Sequence, residues 1–396
     1  MFDPRELIDR QAVLTAIAQP PFEELRERAR ERHRRRTTLM GLALVLAVTG
    51  FGVPMLTGPA GQSPDIEGRI LAPPSAWHFK DTRHGVVLYA EPTSSGENGC
   101  RATVRVTADS GRSWSGQQPA PCRLDQQGKP TQAVLMLDAD TILTFTPDGP
   151  PQISYDAGRT WRRHTMETVT TDRIPVWTDV MYGCIDSAVC RDPDQLRWYD
   201  PATGNRFLLR TLPALDRVLG TPIWGQDGSL WVPGRTPNGQ YAVAISPDQG
   251  RTWQTRPIGL KVDPHDDVAS GLAVATHDGR TGYAIRDDLT LDNVLFRTVD
   301  GGQTWQRVTT EAKSYSPYNW TSGYVAADGT LVLETSGHAS RWQASRDGGR
   351  TVTPLSDFPP DSLVLVLSDG YVRSGMPEDG IHLSEDGLHW RKVKLP

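Results

Sequence analysis

The chain has 396 residues, of which 37% are hydrophobic and 22% are charged, so its composition excludes both a disordered chain and a polytopic membrane protein. Its 37 glycines and 31 prolines argue against a helical bundle and favour many short strands joined by turns. The formal net charge of −5 gives no electrostatic reason to expect a nucleic-acid partner, and we expect none.

Residues 1–36 are rich in arginine and are predicted to form a short helical cytoplasmic segment. Pro20 and Pro21 divide it into an apolar-periodic stretch and a charged helix, in which Glu24 precedes Arg28 by four residues. The arginines of the second part favour contact with anionic lipid headgroups. The first part is a candidate docking element for a cytoplasmic partner, which the sequence does not identify.

Residues 37–57 are predicted to form a transmembrane helix. The segment contains no charged side chain and is long enough to cross the ~30 Å hydrocarbon layer of a bilayer. Seven arginines lie between residues 26 and 36, whereas the next basic residue after the segment is Arg69, so the positive-inside rule places the N-terminus in the cytoplasm. We therefore expect a single-pass plasma-membrane protein; a cleaved signal peptide and a buried core helix are the alternatives.

Residues 58–75 are predicted to be a linker, and residues 76–396 an extracytoplasmic domain that holds every cysteine of the chain. Four cysteines in an oxidising compartment favour disulfides, most simply Cys100–Cys122 and Cys184–Cys190, although three pairings are possible. Zinc is the alternative, but no CxxC spacing and no histidine pair accompany the cysteines. We expect no metal and no cofactor.

An eight-residue pattern recurs along residues 76–396. It consists of Ser or Thr, any residue, Asp, any residue, Gly, two more residues and a closing aromatic or apolar residue. The complete copies are Thr107–Trp114, Ser154–Trp161, Ser246–Trp253, Thr298–Trp305 and Ser345–Val352. A sixth copy, Ser384–Trp390, is one residue shorter, and a seventh around Asp200 lacks the closing tryptophan.

The spacing of these copies predicts the fold class. Their aspartates lie 39 to 52 residues apart, which is typical of the blades of a β-propeller. The aspartates are Asp109, Asp156, Asp200, Asp248, Asp300, Asp347 and Asp386. In such a turn the carboxylate accepts backbone N–H groups, the glycine adopts positive φ and the tryptophan packs between blades. We therefore predict that these aspartates are structural, neither catalytic nor metal-binding.

The repeated pattern resembles the Asp-box, or BNR repeat, of sialidases, sortilin-type receptors and the photosystem II stability and assembly factor family. The resemblance extends from Asp109 to Trp390. It implies an all-β, seven-bladed β-propeller, with the box in the turn between the third and fourth strands of each blade. A six-bladed ring is the alternative if the copy at Asp200 is only a loop. We further expect residues 391–395 to form a final strand, in the same sheet as residues 77–79 or in an adjacent one.

The relation to sialidases implies one enzymatic alternative, an exo-sialidase or related glycoside hydrolase. Such enzymes hold a substrate carboxylate with three arginines and use a tyrosine as nucleophile. The candidates here are Arg173, Arg341, Arg373 and Tyr371. The Arg173-Ile174-Pro175 motif follows the second repeat, whereas in sialidases the corresponding motif precedes the first, and this displacement argues against the activity. Motifs of serine esterases, zincins and nucleotide-binding proteins are absent from the sequence.

The function that the sequence favours is a non-catalytic binding or assembly module for a glycan, peptide or protein partner. Loops from several blades converge on one face of a propeller and supply such a surface. Aromatic residues outside the repeats are candidates for this surface: Trp177, Trp224, Trp231, Tyr318 and Trp320. The alternatives are the sialidase and a signalling receptor whose cytoplasmic segment relays ligand binding. A cation-binding role for His265, Asp266 and Asp267 competes with a simpler interpretation as a solvated loop.

Overall fold

The computed structural model describes thirteen stretches of the chain. They are residues 74–93, 99–124, 133–145, 150–178, 180–182, 196–261, 271–286, 294–311, 320–335, 341–355, 358, 363–374 and 380–396. The predicted cytoplasmic segment, transmembrane helix and most of the linker, together with residues 265–267, lie outside these stretches. Within them, no helix has the length and apolar character needed to cross a membrane.

The described residues form seven antiparallel sheets, six of four strands and one of five, in which one strand alone pairs in parallel. The first three sheets contain β1 (Ala76–Phe79), β2 (Gly85–Pro92), β3 (Cys100–Thr107) and β4 (Gln118–Ala120); β5 (Ala133–Met136), β6 (Ile142–Phe145), β7 (Gln152–Ser154) and β8 (Arg162–Arg163); and β9 (Thr168–Thr171), β10 (Val180–Tyr182), β11 (Leu196–Tyr199) and β12 (Arg206–Leu209). The fourth contains β13 (Arg217–Val218), β14 (Ile223–Trp224), β15 (Leu230–Arg235), β16 (Gln240–Ser246) and β17 (Gln254–Lys261). The last three contain β18 (Leu272–Thr276), β19 (Gly282–Arg286), β20 (Val294–Thr298) and β21 (Gln306–Arg307); β22 (Trp320–Val325), β23 (Leu331–Thr335), β24 (Arg341–Ser345) and β25 (Thr353–Pro354); and β26 (Leu363–Leu367), β27 (Gly370–Ser374), β28 (Ile381–Ser384) and β29 (Arg391–Lys392).

Several middle strands of these sheets are buried on both faces. Every residue of β19 is buried, and so are the first five of β15. A sheet with neighbours on both faces needs apolar side chains at odd and even positions alike, so strict alternation of apolar and polar residues is lost. First strands of neighbouring sheets contact each other, as β1 with β5 and β18 with β22, and therefore lie on the inside of the ring.

The seven sheets form a closed seven-bladed β-propeller. Seven apolar clusters are buried among the described residues, one between each pair of consecutive sheets. One of them joins Phe79 and Val87 of the first sheet to Val372 and Ile381 of the seventh. The predicted count of seven blades is confirmed, and the six-bladed alternative is wrong because the segment around Asp200 builds a sheet of its own.

The ring closes without a sheet shared between the two ends of the domain. The predicted final strand is the outermost strand of the seventh sheet, and Ala76–Phe79 is the first strand of the adjacent first sheet. Side chains connect these two sheets: Thr82 donates from its N–H and its hydroxyl to the Asp369 carboxylate at 2.8 and 2.7 Å. The Trp114 indole donates to the backbone carbonyl of Lys394 at 2.8 Å.

Six of the seven acidic turns share one hydrogen-bonding pattern. In the second sheet, the Ser154 hydroxyl donates to Asp156 at 2.8 Å and accepts the Gly158 N–H at 2.8 Å. The same carboxylate accepts the Thr160 N–H at 2.9 Å and the Thr160 hydroxyl at 2.6 Å. The turns at Asp109, Asp248, Asp300 and Asp347 repeat these contacts, and at Asp386 a histidine takes the place of the threonine. Each of the six turns connects the last two strands of its sheet, which are the third and fourth strands in every four-stranded sheet.

The third sheet departs from this pattern. Asp200 accepts the Thr203 hydroxyl at 2.6 Å, but no Ser or Thr stands two residues before it. No fourth strand follows β12; instead β9, from earlier in the chain, pairs in parallel with β12 at the edge of the sheet opposite β10. The degenerate copy of the repeat therefore marks a blade whose edge strand comes from the preceding connection.

One of the two predicted disulfides is present. Cys100 at the start of β3 bonds to Cys122, which follows β4, with their Cα atoms 6.0 Å apart. Cys184 and Cys190 lie outside the described residues, so their predicted pairing stays a prediction. The bond joins the start of β3 to the residues that follow the antiparallel strand β4, so it fixes the outer strand against β3.

Substitution of the glycine in the fifth-sheet turn is expected to destabilise the ring. Gly302 has φ +79°, and a Cβ there would lie 2.1 Å from Cδ1 of Ile245 in the fourth sheet. Gly302→Ala should lower the free energy of unfolding by about 2–4 kcal/mol, the sum of left-handed strain and overpacking. Gly239→Ala is the matched control, because Gly239 has φ +71° and a Cβ added there would meet nothing within 4 Å. Equal losses in denaturant titrations would contradict the packing argument.

Acid is expected to destabilise the propeller through its turns. The Thr160 hydroxyl and N–H lower the pKa of Asp156 from 3.8 to about 2, and Thr304 does the same for Asp300. Because the pKa values are lower in the folded chain than in the unfolded chain, the stabilisation is complete above pH ~4 and is lost as the pH falls through ~2. Asp156→Asn should flatten this decline in urea titrations. Asp172→Asn, whose exposed carboxylate contacts only Arg210 among the described residues, is the control, and an unchanged slope in Asp156→Asn would contradict the prediction.

Candidate functional site

A groove of about 830 Å³ lies between the sixth and seventh sheets. The outer strand of the sixth sheet and the acidic turn of the seventh form its walls. The lining residues are Thr330, Ala344, Arg346, Thr351, Thr353, Pro354, Leu355, Phe358, Arg373, Leu388, His389 and Trp390. The groove thus combines apolar walls with a few polar groups, which is the usual composition of a ligand site.

Arg373 forms the buried cationic part of the groove. It lies on β27 two residues after Tyr371, so both side chains point to the same face of the strand, toward the sixth sheet. Its guanidinium carbon is 4.4 Å from the ring centroid of Phe358 and 4.8 Å from that of Trp390. Only 5% of the residue is exposed. The two rings hold the guanidinium by cation–π contacts in a site with little access to water.

Aromatic rings continue from Arg373 into the interface between the two sheets. The Phe358 ring lies edge-on to Trp390 at 5.5 Å and 4.9 Å from Trp342. Tyr324 in turn contacts Trp342 at 6.0 Å and Tyr371 at 5.4 Å. Phe358 and Trp390, at the outer end of this chain of rings, line the groove and make its wall rigid.

The rim of the groove is polar. Arg346 and His389 are both exposed there, one on the turn after β24 and the other in the last acidic turn. The Nδ1 atom of His389 contacts the carboxylate of Asp386, and this hydrogen bond raises the pKa of His389. The imidazole of His389 therefore interacts with the carboxylate of its own turn, whereas the guanidinium of Arg346 is exposed to solvent at the rim.

Tyr371 does not fit the predicted role of nucleophile. It is 1% exposed, and its hydroxyl donates to the backbone carbonyl of Val325 at 2.8 Å. The Nδ1 atom of His277 lies 3.2 Å from the same oxygen. Burial, followed by the charges of Asp386 and Asp328, raises the pKa of Tyr371 above its usual range. The phenol is thus a packed, neutral hydrogen-bonding group of the interface.

The predicted carboxylate clamp is not assembled from the arginines that the structure describes. Arg173 is exposed next to β9 of the third sheet, whereas Arg373 is buried between the sixth and seventh sheets. Arg341 begins β24, and its side chain lies outside the described part of the chain. Ile174, of the motif that suggested Arg173, is fully buried, and its N–H donates to Gln249 of the fourth sheet at 2.8 Å. The motif therefore has a structural explanation.

Most of the aromatic residues predicted to bind a partner pack inside the ring. Trp231, Trp320 and Trp224 are 0%, 2% and 7% exposed, so their proposed place on a ligand-binding surface is wrong. Their indoles donate to Ser229 Oγ, Gln343 Oε1 and the Thr178 carbonyl at 2.8, 3.0 and 3.0 Å. Trp177 is half-buried with φ +62° and packs against the cluster between the third and fourth sheets. Tyr318 lies outside the described residues.

Phe358 and Trp390, which line the groove beside Arg373, were not predicted as site residues. Phe358 stands in a Ser-Asp-Phe-Pro-Pro run that has no periodicity and matches no repeat. Trp390 was assigned only a packing role, because it closes a copy of the repeated turn. Of the groove residues, only Arg373 was named from the sequence, and there it was a candidate for the carboxylate clamp of a sialidase.

No family model matches the chain, and no curated protein matches it. Solved structures do resemble it. A GH74 xyloglucanase from Xanthomonas campestris is 16% identical with a TM-score of 0.32, and the match covers 80% of this chain but only 45% of that one. YCF48 from Cyanidioschyzon merolae is 12% identical with a TM-score of 0.41, over 80% and 94% of the two chains. The β-propeller domain of the Trilobed protease from Pyrococcus furiosus is 9% identical with a TM-score of 0.41, over 82% and 96%. Similarity this distant does not indicate a shared activity.

Removal of the Tyr371 hydroxyl tests its structural role. Tyr371→Phe leaves the carbonyl of Val325 without its donor, and we expect the free energy of unfolding to fall by about 1–2 kcal/mol. We expect the variant to act like the wild type toward a fluorogenic sialoside, because the phenol is not exposed to substrate. A variant of unchanged stability that loses measurable hydrolysis would contradict this assignment.

Proposed function

We propose that the protein is a membrane-anchored, extracytoplasmic β-propeller that acts as a non-catalytic binding or assembly module for a glycan, peptide or protein partner. The observation that carries this proposal is the groove between the sixth and seventh sheets, in which a buried arginine stacks on two aromatic rings beside an open volume of about 830 Å³.

The composition of the groove supports binding. Arginine and aromatic side chains contribute most of the energy of many protein interfaces, because they present large, rigid surfaces with directional polar groups. In the groove Phe358 and Trp390 are fixed by neighbouring rings, so little conformational entropy is lost when a partner is bound. A rigid propeller is a suitable support for such a site.

The proposed location depends on the N-terminal sequence. Residues 37–57 supply an uncharged segment of spanning length, and the arginines before it favour a cytoplasmic N-terminus. The Cys100–Cys122 disulfide is consistent with an oxidising compartment outside the cytoplasm. Residues 58–75 would then connect the membrane to the first strand of the ring.

We also infer that the repeated turns are Asp-box repeats. Their shared hydrogen bonds, with the carboxylate bound by a hydroxyl on each side and the glycine in a positive-φ conformation, support this relation. The resemblance includes hydrolases, but Tyr371 and Arg373 both have packing roles in the interface of the last two sheets. These positions favour binding over hydrolysis.

The proposal is tested with the purified full-length chain in mild detergent. We expect no turnover of a fluorogenic sialoside above that of Arg173→Ala, together with retention of specific ligands from a glycan array or a displayed peptide library. Phe358→Ala, which removes one wall of the groove, should reduce retention by about tenfold or more, whereas Trp177→Ala at another interface should not. Turnover that Arg173→Ala abolishes, or retention of no ligand at all, would overturn the proposal.

A further inference from the structure

We propose that the groove between the sixth and seventh sheets binds an extended peptide segment that carries an Asp or Glu side chain. A backbone carbonyl of the segment accepts the Trp390 indole N–H, and its carboxylate pairs with Arg346. This inference rests on the proposed binding function and names the partner's chemistry and the residues that recognise it.

The first observation is a hydrogen bond that the closing tryptophans of three other blades make and that Trp390 does not make with any described residue. The tryptophans that close the turns of the first, second and fourth sheets donate from Nε1 to backbone carbonyls of Lys394, Pro119 and Thr211, at 2.8, 2.9 and 2.9 Å. Each acceptor lies in, or just after, the outer part of the preceding sheet. The acceptor is thus the carbonyl of an extended chain segment.

Trp390 occupies the corresponding position in the seventh sheet. Its Nε1 atom is buried and has no hydrogen-bond acceptor among the described residues. A buried N–H without an acceptor is unfavourable, so such groups are rare in folded proteins. The tryptophan also lines the groove. Trp305 of the fifth sheet also lacks an acceptor among the described residues, but it does not line this groove.

The second observation is the charge of the lining. The described lining residues include Arg346 and Arg373 but no Asp or Glu. The nearest turn carboxylates, Asp347 and Asp386, accept hydrogen bonds from Thr351 and His389 of their own turns. Arg346 is exposed on the rim, and its charge contributes to lowering the pKa of Asp328. A guanidinium in this position favours a carboxylate, which it can bind through two N–H groups.

The third observation is the form of the walls. The outer strand β25 is only two residues long, and beside it Leu355, Phe358 and Leu388 present apolar surface to the groove. An extended segment places successive side chains on opposite sides. One side chain then contacts these apolar residues while the next reaches Arg346 at the rim.

The test uses the immobilised full-length chain and a phage-displayed library of random dodecapeptides, with binding of enriched sequences measured on synthetic peptides by fluorescence polarisation. The informative variants are Trp390→Phe, which removes the N–H and keeps an aromatic ring, and Arg346→Gln. Their controls are Trp253→Phe, whose indole has an acceptor at another interface, and Arg350→Gln, an exposed arginine in the turn of the sixth sheet that does not line the groove. Near-UV circular dichroism verifies the fold of each variant.

We expect the enriched peptides to be rich in Asp or Glu and to bind about tenfold more weakly to each groove variant, with little change for either control. Replacement of the acidic residue in the peptide by its amide should weaken binding as much as Arg346→Gln does, and C-terminal amidation should have no effect. Enriched peptides without acidic residues, or a dependence on the C-terminal carboxylate, would overturn the assigned chemistry. Acidic peptides that bind all variants equally would overturn the groove as the site while leaving the binding function standing. A library with no enriched sequence would overturn the peptide assignment, and it would overturn the binding function as well if a glycan array also retained no ligand.

Discussion

The structure depends on one constraint, that each small sheet has two apolar faces and only other sheets can cover them. A single blade such as β18–β21 contributes to an apolar cluster on each side, one with the fourth sheet and one with the sixth. An open row of such sheets would leave one face bare at each end. Contact between the first and seventh sheets removes both bare faces, and this burial favours a ring over an array.

The acidic turns fix the spacing of the sheets more than they contribute to the apolar core. Each carboxylate organises its own turn, and the glycine that follows allows the neighbouring sheet to approach closely, as Gly302 does with Ile245. The closing tryptophan then reaches the outer part of the preceding sheet, where its N–H finds a carbonyl. The Trp390 indole makes no such contact with a described residue, and a groove lies beside it between the sixth and seventh sheets. The candidate site thus lies at an interface where the repeated contact is not made.

The fold could be predicted from the sequence because its signal is repeated. Aspartates at nearly constant spacing, each followed by glycine, indicated the blades. The weak copy at Asp200 was included in the count of seven, and the structure shows a separate sheet there. The parallel strand β9 could not be predicted, since Thr168–Thr171 has no feature that distinguishes an edge strand from a connection. Local pattern specifies each turn, whereas the pairing of β9 depends on an edge that exists only in the folded sheet.

The site was harder to predict than the fold. Tryptophans outside the repeats were interpreted as surface residues, but in sheets buried on both faces an aromatic residue on an inner strand has no access to solvent, as Trp231 and Trp320 show. Trp390 was assigned a packing role, and nothing in the sequence reveals that its N–H lacks the acceptor found in other blades. Whether the indole N–H has an acceptor depends on how the sixth and seventh sheets pack against each other, which only the folded structure shows.

The parallel edge strand of the third sheet has a consequence for how this chain tolerates rearrangement. The two ends of the ring domain belong to neighbouring sheets that share no strand, so a circularly permuted chain with a new opening between two whole sheets would keep every pair of hydrogen-bonded strands. The boundary between the second and third sheets is different, because β9 and β12 are partners although the connection from the second sheet leads through β9 first. A new terminus placed directly after β9 would put β9 at the C-terminal end and its partner β12 near the N-terminal end of the permuted sequence. The third blade would then be formed by strands from both ends of the chain.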